Sequence, residues 1–252
     1  MEKLTFFDCN CSVGRVPYPY LLDIPDADGL LREMKTAGIE EALVYHSAAR
    51  DADPPLGNRL LMEALDGKDS LYPCWVVLPH HTGEMPPPSQ LLKEMDANNV
   101  RAVRMYPTNL WHSFSMEDWN IGGLLDALEE ARVPLLLDIE VVWWETIQKL
   151  CEHHPGLPVV ATNVSYRHNR FAYPLFERYD NVYVETSRFM GACNLEDIVS
   201  RYSSRHILLG SNMPHWTGTA VVPLVTYANI PREDKEAIAG GTLRTLLKEA
   251  LS

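Results

Sequence analysis

The stretch IGGLLDALEEARVPLLLDIEVVWWETIQKLCEHH, residues 121–154, decides the fold. From Ile121 to Ala131 apolar residues recur at helical spacing, with acidic residues on the wet face. Pro134 to Ile139 is then a short, nearly unbroken leucine run, and Trp143 to His153 is helical again. A strand that is apolar on both faces and lies between two helices belongs in a parallel sheet covered on both sides.

The same unit repeats outward in both directions. Toward the N-terminus, strand-like runs lie at Arg101 to Tyr106, Tyr72 to Leu78 (ended by Pro79), Ala42 to His46 and Leu4 to Cys9. Helical patterns separate them at Gln90 to Asn98, Leu56 to Leu65 and Ala27 to Ala37, the last stopped by Gly38. Toward the C-terminus come strands at Pro158 to Asn163, Val182 to Thr186 and Ile207 to Ser211, with helices at Leu195 to Tyr202 and Arg232 to Leu251. Eight strands in 252 residues predict one α/β domain spanning residues 1–252, a single (β/α)8 TIM barrel. No glycine-rich phosphate loop follows the first strand, which argues against a dinucleotide fold.

Composition narrows the function. Lys and Arg number 22 and Asp and Glu 34, so the net charge is −12. Such a chain repels phosphate backbones and anionic lipid, which predicts no nucleic-acid partner and no membrane partner. No apolar run is long enough to span a bilayer. No signal peptide is visible, and five scattered cysteines (Cys9, Cys11, Cys74, Cys151, Cys193) read as reduced thiols, so the expected compartment is cytoplasmic. The remaining partner class is a small-molecule ligand or substrate.

Barrel chemistry sits at the carboxyl ends of the strands. Here those ends carry Asp8, Asn10 and Ser12; His46; His80 and His81; Arg104 and Tyr106; Asp138 and then Glu140; Asn163; Glu185 and Ser187; and Asn212 with His215. Side chains alternate along a strand, so Asp8, Asn10 and Ser12 are expected on one face, Asn163 with Ala161, and Asn212 with Gly210 and Leu208. Polar residues also gather at strand ends simply because loops begin there. The repetition over several strands is what marks a site.

In series these segments resemble the amidohydrolase-related family of metal-dependent hydrolases, which includes decarboxylases of aromatic acids and lactone hydrolases. Phe7 to Gly14 is similar to the family's opening strand, Asp-x-His-x-His followed by glycine. Val133 to Asp138 resembles its fifth strand, His154 to Asn163 its sixth and Val182 to Ser187 its seventh. Arg205 to His215 resembles its last strand, which usually holds Gly-Ser-Asp-x-Pro. Ala239 to Leu247 resembles its closing helix, with Thr242 where Asn is usual. The resemblance implies a TIM barrel and a hydrolase or related lyase, and homo-oligomers are compatible with it.

It also implies a metal, and the residues depart from that. Asn10 and Ser12 stand for the first-strand histidines, Asp138 and Asn163 for the next two, and Asn212 for the last-strand aspartate. Neutral amides and a hydroxyl are poor zinc ligands, and Asn212 cannot serve as a base at neutral pH. No metal site and no cofactor are therefore expected, although a weakly held divalent metal, Mg²⁺ between Asp138 and Glu140 or Zn²⁺, stays open. In an enzyme, Asp138, Glu140, Glu185, His46 and His80 are the candidates for proton transfer. Asn10, Ser12, Arg104, Tyr106, Asn163, Asn212 and His215 are the candidates for substrate binding. In a pseudoenzyme, the asparagines and Ser12 form a neutral hydrogen-bonding cup. Each residue also has a plainer role open to it: Arg104 paired with Asp138 or Glu140, Glu185 with Arg188 or Arg104, and Arg167 to Arg170 as a solvated loop.

Overall fold

Each leucine- or valine-rich run forms a strand because its two faces meet two apolar layers. The computed structural model describes residues 3–16, 21–22, 24–188, 191 and 193–252. Its eight strands are parallel and follow chain order around the sheet. They are β1 (Phe7–Val13), β2 (Glu41–His46), β3 (Leu71–Val76), β4 (Ala102–Met105), β5 (Leu135–Asp138), β6 (Val159–Thr162), β7 (Val182–Glu185) and β8 (Ile207–Leu208). Closure comes from the backbone beyond β8. The Cys9 N–H donates to the Leu209 carbonyl at 2.8 Å, and the Ser12 N–H to that of Met213 at 2.8 Å. The fold is a (β/α)8 barrel.

Alternate residues fill the two layers. Leu43, Val76, Leu136, Val160 and Leu208 pack inside the barrel, while Val44, Val103, Leu137, Val159 and Val184 pack against the helices. The last helix, Thr242–Glu249, puts Leu243, Leu246 and Leu247 into the inner cluster with Phe7 and so seals the floor. The candidate polar residues gather at the opposite end, where the strands' carboxyl termini lie.

Three local expectations change. Arg232 to Leu251 is not one helix: a wider π-type turn at Ala237–Gly241 splits it, where Gly240 and Gly241 together weaken helix formation. Arg167 to Arg170 is not a loop throughout. Asn169–Arg178 is a helix, held by buried Ala172, Leu175 and Phe176 despite Pro174 inside it. Third, Asp8 does not share a face with Asn10 and Ser12. The β1–β2 register shifts between Asp8 (opposite Ala42) and Cys11 (opposite Val44), so Cys9 and Asn10 together face Leu43. This bulge re-aims the strand at the mouth.

All five cysteines are free, Cys193 being exposed and the others buried. Among the described residues no helix is long and apolar enough to cross a membrane.

Candidate functional site

Strand register sets the ring of inward residues at the open end. Arg104 pairs in register with Val76 and Leu136, and Glu185 with Leu208, all partners from the inner layer. Asp138 follows Leu136 by two and points the same way.

Arg104 reaches across the lumen. Its Nη2 donates to Asn10 Oδ1 at 2.6 Å, from β4 to β1, and its Nη1 donates to Tyr106 Oη at 3.1 Å. Its Cζ lies 4.6 Å from the centre of the Tyr45 ring. The side chain is 5% exposed. Burial opposes its charge, but Tyr106, Cys74 and Tyr45 hold its pKa above the ordinary value. Neither Asp138, Glu140 nor Glu185 pairs with it. A buried guanidinium hydrogen-bonded only to neutral groups among the described residues is unusual, because a carboxylate is the common partner.

Two carboxylates lie beyond it. Glu185 is fully buried, and its Oε1 accepts from Ser187 Oγ at 2.7 Å, from the Asn163 N–H at 2.6 Å and from Asn10 Nδ2 at 3.4 Å. Its Oε2 accepts from the Ser187 N–H at 2.5 Å. Burial pushes its pKa up to about 7, against the pull of those hydrogen bonds. Asp138 accepts from Asn163 Nδ2 at 2.5 Å and from the Glu140 N–H at 2.8 Å. Its pKa is raised by burial, in part offset by these bonds and by the charge of Arg104.

Asn163 ties the site together. Its Oδ1 accepts from Asn212 Nδ2 at 2.6 Å, so one amide chain runs Asp138–Asn163–Asn212. Both asparagines lie past their strand ends in the left-handed region, with φ of 61° and 56°. Asparagine tolerates this conformation best among residues with a side chain, apart from aspartate. Strand parity does not reach these positions; a local backbone turn brings the two amides together.

The other predicted residues lie around this centre. Ser12 is buried opposite Tyr45 in β2. Burial pushes the His215 pKa down to about 4, with the charge of Arg50 adding to the effect, so the imidazole is neutral. Glu140 turns outward to pair with Arg188, so it does not join Asp138 in holding an ion. His46 caps the helix Ser47–Asp51, its Nδ1 accepting from the Ala48 N–H at 3.1 Å. His80 stacks on His81 with centroids 4.3 Å apart. Neither histidine bonds to Asp138 or Glu185.

Reading strand ends alone missed Tyr45 and Arg50 and did not show what Asp8 does. Tyr45 carries the guanidinium stack and also accepts from Arg50 Nη1 at 3.2 Å. Its alternation with Leu43 in β2 was the available signal. Arg50 (6% exposed) is paired with Asp51 and lies over the Trp111 ring. Asp8 clasps the barrel closure, its Oδ1 accepting from the Asn10 N–H at 2.9 Å and the Ser211 N–H at 3.0 Å.

No model of a known family and no curated protein matches this sequence. Solved structures do. An uncharacterised TIM-barrel protein from Bordetella bronchiseptica is 15% identical, with TM-score 0.77 over 98% of this chain and 99% of its own. A 5-carboxyvanillate decarboxylase from Novosphingobium aromaticivorans, with bound manganese, is 11% identical, with TM-score 0.74 over 97% of each chain. A dihydroorotase from Campylobacter jejuni is 13% identical, with TM-score 0.67 over 97% of this chain and 83% of its own. The chain shares the barrel fold of these proteins.

The mouth does not suit a metal like the one in that decarboxylase. The Asn10 oxygen is taken by Arg104 and the Asn163 oxygen by Asn212, and Asp138 is held by the Asn163 amide. The would-be ligands bind one another around a guanidinium, and no imidazole is among them. Among the described residues, the group with metal-ligand spacing is Asp126, Glu129 and His154. It lies at helix ends on the floor side, where Glu129 bonds His154 Nδ1 and the Gly156 N–H, both at 2.8 Å.

Glu185 makes a testable contribution to pH dependence. Its folded pKa is about 7 against an ordinary 4.5, so between those values the folded state holds a proton that the unfolded state has lost. Its contribution to stability is present below pH 4.5 and is lost as pH rises to about 7, a change of about 3 kcal/mol. Lowered histidines such as His215 act with the opposite sign and are common to native protein and variant. The stability of Glu185→Gln relative to native protein should therefore climb by about that amount from pH 4.5 to 7.5 in urea titrations. A flat difference would show that Glu185 titrates normally.

Proposed function

We propose that this barrel is a metal-independent, amidohydrolase-like hydrolase or lyase acting on a small anionic metabolite. One observation carries the reading: Arg104, buried and reaching across the lumen, has no carboxylate partner among the described residues. In this reading the guanidinium supplies the fixed positive charge that a metal supplies in other barrels of this shape, and a carboxylate or phosphate of the substrate pairs with it. Asp138 holds and returns a proton at the reacting group, since burial raises its pKa above the ordinary carboxylate value and so makes it a stronger base.

Thermal melting against a library of small carboxylates and phosphates tests this. At 100 times Kd a true ligand stabilises by about 2.7 kcal/mol. The shift should persist in a chelator. A shift that requires Mn²⁺, or that appears only with neutral compounds, counts against the proposal.

The saturated amide chain Asp138–Asn163–Asn212 favours a second reading, a cup that binds the anion without turning it over. Asp138→Asn separates the two. As an enzyme, the variant should lose roughly 10²–10⁴-fold in kcat while the ligand-induced melting shift remains. A variant that turns over at the native rate removes Asp138 from the chemistry.

A further inference from the structure

We infer that Ser187 is a nucleophile and Glu185 its base, so that the site hydrolyses carboxylic esters through a covalent acyl-serine. This deepens the reading of the mouth as a substrate site and rests on it.

The geometry is that of an activated hydroxyl. Ser187 Oγ donates to Glu185 Oε1 at 2.7 Å just past the carboxyl end of β7. The base is itself oriented by the Asn163 N–H and by Asn10 Nδ2. A nucleophile in hydrogen-bond reach of a base, with that base held by further groups, is the arrangement that covalent catalysis requires. Ser187 is 2% exposed and Glu185 0%, so water does not screen the pair. Two other features fit. Asn10 joins Glu185 to Arg104, which places a cation one residue from the base. Asn163 bonds Glu185 through its N–H and Asp138 through its side-chain amide, which ties the base to a second carboxylate.

The steps balance without any further reagent. Glu185 takes the Ser187 proton as Oγ bonds to the acyl carbon. The bond from that carbon to the alcohol oxygen breaks, and Glu185 passes that proton to the departing alkoxide. Water then attacks the acyl-serine and gives its proton to Glu185. Ser187 leaves and takes that proton back from Glu185. The products are one acid and one alcohol, and Glu185 ends ionised as it began. Because Oγ is buried, the ester must be small or reach the serine by a narrow end.

The test is covalent capture on the native chain with diisopropyl fluorophosphate, followed by peptide mass mapping. The expected result is one adduct, on Ser187, forming faster as pH rises through about 7, where Glu185 ionises. Glu185→Gln should slow capture by roughly 10²–10⁴-fold. Ser187→Ala should abolish it while keeping a cooperative melt. No adduct after exhaustive treatment overturns the inference, as does an adduct elsewhere or equal rates in native protein and Glu185→Gln. Arg104→Met keeps the outcomes apart. Capture that survives in it alongside a lost anion response supports both readings. An anion response without capture in native protein defeats the serine assignment alone, and capture without an anion response defeats the anionic-substrate reading alone.

Discussion

Arg104→Met is expected to abolish the thermal shift produced by anionic ligands and to lower kcat/KM by roughly 30-fold to several thousand-fold. A hydrogen-bonded partner to a buried charge is worth about 2–5 kcal/mol when truncated, which is a factor of roughly 30 to several thousand. The side chain crosses the lumen to Asn10 and lies on Tyr45, so no neighbouring cation can substitute in place. Arg50 is the nearest candidate, and it is held by Asp51 and Tyr45. Arg104→Lys should not restore binding, because a point charge cannot donate to Asn10 and Tyr106 together while offering a fork to the ligand. Stability should change little by comparison. Removing a buried charge also removes its desolvation cost, and methionine refills most of the volume. Calorimetric titration of the anion found by the melting screen checks this. Native affinity in Arg104→Met would sink the proposed role.

Gly210→Ala should destabilise the fold and the site together. A methyl group there would lie 2.7 Å from Glu185 Oε2, 2.9 Å from Glu185 Cβ and 3.1 Å from Cys9 Sγ. None of these can retreat without breaking packing or hydrogen bonds, since Glu185 and Cys9 are buried. The backbone cannot yield easily either. Gly210 N–H donates to Thr186 Oγ1 at 3.1 Å, and the Gly210 carbonyl accepts from the same hydroxyl at 3.1 Å. Overpacking of this kind costs about 1–3 kcal/mol, at about 2–4 °C of melting temperature per kcal/mol for a chain of this size. Glu185 should be the group that moves, away from Ser187 and Asn163, so capture at Ser187 should slow as well. A variant with native melting and native capture would show that the pocket beside Gly210 is looser than its contacts imply.

Much of the barrel can be read directly from residues, because a strand covered on both faces needs an apolar run and little else. Leu135 to Leu137 and Val159 to Ala161 are such runs, and both are fully buried. Two helices that escaped notice, Asn169–Arg178 and Gly218–Thr226, each contain a proline and are held by packing rather than by propensity. At the mouth, Asn10, Ser12 and Asn163 are visible in the sequence as polar residue types. Their partners are not, since no spacing in the chain says that Arg104 meets Asn10 across the lumen.

The sequence by itself determined the strand count, the direction of the strands and the polar residues at their carboxyl ends, because apolar periodicity and burial are local properties. Only the tertiary structure decided which of those residues meet. The β1 bulge turned Asp8 away from Asn10 and Ser12, and left-handed backbone at Asn163 and Asn212 joined their amides to Asp138. Closure of the barrel set Arg104, Asn10 and Glu185 in one chain of contacts from β4 to β7. Contacts between residues as far apart as Asn10 and Glu185 depend on register and closure, which are properties of the whole sheet.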